Sequence, residues 1–184
     1  MISPQEFARL WTLGCEIDCR LMTWTAKSLE DIHLPSMSKQ FLIDAGLPAS
    51  TAPFIGFDGS KDDCVANVAD VWALSDEYRI YWEIGFMGSG DPICIHEPSG
   101  KIVYIFQDFN FGIVFMNSSV PQLAECLLTY QSFVRRVNQQ NGHRAWLNGD
   151  IPSELLAWLT TQFSQIDPNA LDEECFWWNE IYSH

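Results

Sequence analysis

The chain has 184 residues, 47% of them hydrophobic and 14% aromatic with eight Trp, a content that excludes a disordered chain and supplies the core of one domain. Its 24 Asp and Glu stand against 10 Lys and Arg, leaving a net charge of −14. That balance opposes binding to phosphate backbones and anionic lipid and favours a basic partner, while also serving solubility.

In chain order, Ser3-Pro4-Gln5-Glu6 reads as a capping box with Pro at the first helical position. The helix it opens carries Phe7, Leu10 and Trp11 on one face and stops near Gly14. This amino terminus lacks both the basic and the apolar segment of a leader, and no apolar run approaches membrane-spanning length, so a cytoplasmic location is expected. The stretch from Cys15 to His33 has no clear period. Leu34-Pro35 introduces a second helix over Ser36 to Ala45, with Met37, Phe41 and Leu42 expected inward and Gly46-Leu47-Pro48 as its stop. Residues 49–76 read as an acidic loop region.

Tyr78, Ile80, Trp82, Ile84 and Phe86 alternate with Arg79, Tyr81, Glu83 and Gly85, the period of a strand with one buried face. Gly88-Ser89-Gly90-Asp91-Pro92 breaks it, and Ile93-Cys94-Ile95 resumes. Glu97-Pro98-Ser99-Gly100 suits a type I turn leading into a return strand, Lys101 to Gln107. Phe111 to Met116 follows, and both of these apolar runs are expected to be central strands covered on two faces. Ser119 with Gln122 forms another capping box, opening a helix through Leu123, Leu127, Tyr130, Val134 and Val137 that ends near Asn141-Gly142. Asp150 is expected to cap a helix through Leu155, Leu159 and Phe163, and Asp172 a last one through Phe176 and Trp177. The pattern predicts an α+β fold, a twisted and mainly antiparallel sheet flanked by helices.

Catalytic and cofactor motifs do not emerge. Cysteines 15, 19, 64, 94, 126 and 175 lack metal-ligand spacing and are expected to be buried reduced thiols. Ser118-Ser119 serves a helix start better than a nucleophile elbow, and the glycines 85, 88 and 90 lead into a strand rather than a phosphate-binding helix. Asp91, His96 and Glu97 make the one cluster from which a hydrolase could be built, although neighbours on a strand point to opposite faces. No cofactor and no metal are expected. Charge distribution says more: the last forty residues hold seven carboxylates, no Lys or Arg, and Trp146, Trp158, Trp177 and Trp178. Aromatic anchors within a charged rim are how protein interfaces combine affinity with steered association, although most of these rings are expected to pack the C-terminal helices.

Several blocks resemble the SUKH superfamily of bacterial immunity proteins, and its fourth immunity family most closely. Leu34-Pro35, Phe41-Leu42 and Gly46-Leu47-Pro48 are similar to the family's opening helix and its G-L-P. Trp82-Glu83-Ile84-Gly85, then Gly90-Asp91-Pro92-Ile93-Cys94-Ile95 and Ser99-Gly100-Lys101-Ile102-Val103, resemble its glycine-punctuated hairpin. Phe115-Met116-Asn117-Ser118-Ser119-Val120 resembles its strand-to-helix junction, and Asp167-Pro168 with Phe176-Trp177 its C-terminal helix. His96 departs from the pattern, standing where an acidic residue is expected.

The resemblance implies one domain over 1–184, with 145–184 as a helical, acidic extension, in which Gly85, Gly90, Pro92, Gly100, Asn117, Ser118 and Ser119 have structural roles. It also implies capture of a protein toxin, a nuclease or nucleic-acid deaminase, with no cofactor and no direct contact to nucleic acid or membrane. On this reading a basic toxin surface meets Asp172, Glu173, Glu174, Trp177, Trp178 and Asp91. A scaffold resembling the superfamily's fungal cell-wall regulators, and the hydrolase built on Asp91, His96 and Glu97, are the alternatives.

Overall fold

The computed structural model describes residues 1–14, 18–59 and 64–182. Ser3 starts the first helix as its sequence requires: its Oγ accepts the Glu6 N–H at 3.2 Å and its carbonyl the Phe7 N–H at 2.9 Å. Helix α1 follows over Pro4–Gly14 and buries Phe7 and Trp11. The Glu6 carboxylate turns to Arg9 instead of back to Ser3. Strand β1 (Leu21–Met22) pairs antiparallel with β2 (Leu47–Pro48), on either side of α2 (Ser36–Asp44). The unpatterned stretch before α2 therefore has a part in the fold, and Trp24, Leu29 and Ile32 from it enter the core. In α2 the inward face is Ser38, Phe41 and Leu42, spaced three and four apart, which leaves Met37 outside at 53% exposure against expectation.

The region read as loop contains β3 (Ile55–Phe57), buried throughout, and the single-turn α3 (Val68–Val71), started by the Asn67 side chain. Both are too short to produce a period. β4 (Tyr81–Met87), β5 (Pro92–His96), β6 (Ile102–Phe106) and β7 (Gly112–Asn117) complete an antiparallel sheet of order β3-β4-β5-β6-β7. The fold is α+β, as the order of elements predicts.

Four details differ from the sequence reading. Tyr78 and Ile80 lie in a 3-10 turn over Asp76–Ile80, and β4 begins only at Tyr81. A bulge between Glu83 and Gly85 then shifts the strand's phase, so Ile84 and Gly85 are both buried while Phe86, expected inward, is exposed. β6 is covered on two faces as expected, Ile102 entering the main core and Val103 and Ile105 a smaller cluster with Val68 and Cys94. β7, however, is an edge strand with Ile113 exposed. In the 97–100 turn the Gly100 N–H donates to the His96 carbonyl at 2.8 Å, where a four-residue turn would close on Glu97, and the Glu97–Pro98 peptide is cis.

Two glycines let backbones meet. A Cβ on Gly85 would lie 2.3 Å from the Gly56 carbonyl oxygen across the β3–β4 pair. Gly100 has φ +75°, and a Cβ there would press on Pro35 at 2.9 Å, where the start of α2 rests on the β5–β6 hairpin.

Helix α4 (Val120–Asn141) packs on the sheet with Leu123, Leu127, Tyr130 and Val137 buried and Val134 partly so. α5 (Ser153–Ile166) and α6 (Phe176–Tyr182) contribute Leu159, Phe163, Trp177 and Ile181 to the core that also holds Phe7. Neither aspartate acts as the expected cap. α5 follows Pro152 without a side-chain cap, and Asp150 accepts from the Asn141 amide at 2.9 Å instead. Asp172 ends the 3-10 turn Pro168–Leu171, and α6 begins four residues further on. Of the five described cysteines only Cys94 and Cys126 are buried; Cys64 is exposed, so the expectation of buried thiols holds only in part. Cys15 lies outside the described residues. Among the described residues no helix is long and apolar enough to cross a membrane.

Leu127 is fully buried at the α4–sheet contact, so Leu127→Ala should lower unfolding free energy by about 2–5 kcal/mol through lost transfer energy and the cavity left behind. Denaturant titration of the two proteins measures it, and an unchanged midpoint would remove Leu127 from the core.

Candidate functional site

The carboxylate–histidine cluster does not assemble. Asp91 and His96 lie at opposite ends of β5, about 16 Å apart at the usual rise per residue. Asp91 is 5% exposed and used internally, its Oδ1 accepting the Gln107 N–H at 2.9 Å and its Oδ2 the Ser89 hydroxyl at 2.6 Å. Asp91, expected as a hydrolytic group or a partner contact, thus has both carboxylate oxygens engaged within the fold. His96 Nδ1 meets Ser99 Oγ at 2.6 Å, and its ring rests against Tyr81. Partial burial, followed by the nearby Lys101 charge, lowers the His96 pKa. Among the described residues no three His, Cys, Asp or Glu are grouped as metal ligands.

Glu97 instead fastens the hairpin to the segment before α2. Its Oε1 accepts the His33 backbone N–H at 2.8 Å and meets His33 Nδ1 at 2.7 Å, while Oε2 accepts the Trp82 indole N–H at 2.7 Å. Burial pushes the Glu97 pKa up, but these hydrogen bonds outweigh it and hold the carboxyl below its ordinary 4.5. Nothing in the local sequence pairs His33 with Glu97, because the partners are 64 positions apart.

Asn117-Ser118-Ser119 divides its work. Ser119 Oγ accepts the Gln122 N–H at 3.4 Å at the start of α4. Ser118 and Asn117 turn the other way, onto Asp167, which is fully buried. Asp167 Oδ2 accepts the Ser118 N–H at 2.7 Å and the Asn117 amide at 3.1 Å, and Oδ1 accepts the Ser118 hydroxyl at 2.8 Å. Asn117 Oδ1 in turn accepts the Trp177 indole N–H at 2.9 Å. Trp177 has no exposed surface and packs its ring on Phe163, Phe176 and Tyr130. Expected as a partner contact, it presents no surface in this structure, and its adjacency to Trp178 in the sequence gave no sign of the difference.

The other expected contacts are less enclosed, Trp178 being half-buried. Asp172, Glu173 and Glu174 are exposed in the connection that precedes α6. Trp178 and Tyr182, one turn apart on α6, pair their rings at 5.8 Å, and Tyr182 is 49% exposed. Cys175, beside them, reports the local field: burial first, then the charges of Asp172, Asp167 and Glu174, push its thiol pKa up. The remaining tryptophans of the segment are engaged elsewhere, Trp158 beneath Arg136 at 4.2 Å and Trp146 against Tyr130 and Phe54.

A family model described as SUKH-4 immunity protein matches residues 2–184, essentially the whole chain. No curated protein and no solved structure matches it.

Removing the Asp167 carboxylate would strand three buried or half-buried donors, so Asp167→Ala should lower stability by about 3 kcal/mol or more, read from equilibrium unfolding. Glu97 sets a pH dependence. Because its folded pKa is depressed, its contribution is present above the ordinary value of 4.5 and disappears as pH falls through the lower folded value. Glu97→Gln should therefore be less stable at neutral pH and lose less stability on acidification than the parent; parallel pH curves would mean that the Glu97 carboxylate contributes nothing.

Proposed function

The chain belongs to the SUKH-4 immunity protein family, and from that membership we propose that it silences a cognate toxin by stoichiometric binding, with no reaction of its own. The observation that carries the choice of surface is the exposure of Asp172, Glu173 and Glu174 next to the Trp178–Tyr182 ring pair, in a forty-residue segment without Lys or Arg. Such a surface suits a basic groove of the kind that a nuclease or a nucleic-acid deaminase uses to hold its substrate backbone. Occupying that groove with carboxylates denies it to nucleic acid.

The two kinds of group have separate tasks. Carboxylates act over distance, within a Debye length of about 8 Å at physiological ionic strength, and raise the rate of encounter. Rings act on contact, removing apolar area from water and slowing dissociation. The whole chain serves as one domain on this reading, with 145–184 supplying the capture surface, and it acts in the cytoplasm without a cofactor.

Association with the toxin encoded beside its gene should slow steeply with added salt, and reversal of Asp172, Glu173 and Glu174 to Lys should slow it further at low salt. Trp178→Ala should leave the association rate nearly unchanged and weaken binding by about 2 kcal/mol through faster dissociation. Stopped-flow or surface-capture kinetics separate the two. An association rate indifferent to salt and to the reversals would defeat capture by this acidic surface.

A further inference from the structure

A cleft of about 340 Å³ opens between the end of α1, the loop before β3 and the second half of α4. Trp11, Phe54, Trp146 and Val134 give it apolar walls, and Arg135 stands among them. We propose that this cleft seats an apolar side chain of the captured protein, with a carboxylate on the same segment paired to Arg135. The proposal rests on the reading that the chain binds a protein toxin, and adds a second contact of opposite polarity to the acidic surface.

Size and lining suit one bulky side chain. The volume is at the lower end of the range for ligand pockets, and Phe54, 65% exposed, leaves a large aromatic ring at the surface beside Trp146, at 5.7 Å. Trp146 is held from behind: its indole N–H donates to the Tyr130 hydroxyl at 3.2 Å, and that hydroxyl donates to Glu180 of α6 at 2.7 Å. A wall anchored in this way is already in place before a partner arrives, which lowers the cost of binding.

The Arg135 guanidinium specifies the carboxylate. Arg9, Arg20 and Arg79 each pair with carboxylates, whereas half-buried Arg135 makes only a long 3.4 Å bond to the Gly14 carbonyl among the described residues. Trp11 is 1% exposed, and its indole N–H has no acceptor among the described residues. The cleft's own carboxylate, Asp18, is occupied by Arg20 at 2.7 Å. An acceptor with negative charge would satisfy the guanidinium, whereas the Trp11 N–H has almost no surface to offer. In a chain of net charge −14, an arginine with no carboxylate partner among the described residues, set between aromatic walls, also sets orientation, because only one docking register brings a carboxylate to it.

The test has two arms. In the first, ¹⁵N-labelled protein is titrated with N-acetyl-phenylalaninate and with the matching uncharged amide while the indole N–H resonances of Trp11 and Trp146 are followed. The carboxylate should shift both and bind about tenfold more tightly than the amide, with Arg135→Gln abolishing the preference. Equal binding of the two probes, or none of either, overturns the assigned chemistry. In the second arm, Arg135→Gln and, separately, Phe54→Ala are measured against the toxin encoded next door, after thermal melts show both variants folded. Each should raise Kd about tenfold or more and leave the salt dependence of association nearly as in the parent. Unchanged Kd values in both, with the parent still protecting cells, overturn the cleft as a toxin contact while leaving the immunity reading intact. A parent that neither binds nor protects overturns the immunity reading and the toxin as occupant together, and the first arm still decides the cleft's chemistry.

Discussion

Asp167, a carboxylate with no solvent exposure, holds the end of β7, the start of α4 and the end of α5 together. A buried carboxylate is tolerated only where donors replace the water it has lost, and here the replacements are two N–H groups and a hydroxyl supplied by consecutive residues, Asn117 and Ser118. Among the described residues no Lys, Arg or His forms a salt bridge with Asp167. Those donors exist only while β7 turns into α4 at this point, and the geometry is completed when Trp177 donates to the other side of the Asn117 amide. Strand end, helix start and C-terminal helices are thus joined by one network in which each member satisfies another.

That network decides what the C-terminal segment shows to solvent. Trp177 turned inward brings Phe176 with it, its ring edge-on to Tyr104 of the sheet, and on a helix this places Trp178 and Tyr182 on the outer side. The carboxylates divide in the same way. Asp167 works inside, Glu180 accepts from Tyr130, Asp150 and Glu154 engage the end of α4, and Asp172, Glu173 and Glu174 remain exposed. An acidic segment that reads as uniform along the chain is divided in space between structural and outward-facing groups.

Polarity varies over the molecule as well. Three arginines are neutralised nearby, Arg9 by Glu6 on α1, Arg20 by Asp18 before β1, and Arg79 by Asp70 and Asp76 beside the small cluster on the second face of the sheet. Arg136 lies over an indole ring, and Arg135, its neighbour one residue earlier, points into an aromatic cleft instead. A protein of strongly negative net charge therefore still offers a local donor site, and net charge alone says nothing of where it stands.

Long periods and caps were readable directly. The spacing of Leu123, Leu127, Tyr130 and Val137 made α4 inevitable once Ser119 had started it, and the β5–β6 hairpin followed from its apolar runs and glycine. The acidic residues 172–174 and Trp178, which form the candidate surface, were visible as composition at one end of the chain. Other features carried no local signal. β3 is three residues long, the β4 bulge reverses which residues face inward, and Met37 and Ser38 exchange places by a single position of helical phase. Burial of Trp177 and Asp167, the partial burial of Trp178 and the exposure of Asp172 could come only from the tertiary structure. Each inward choice depends on a partner fifty to sixty residues away in the chain, and neighbouring residues of similar type differ only in whether such a partner is within hydrogen-bond reach.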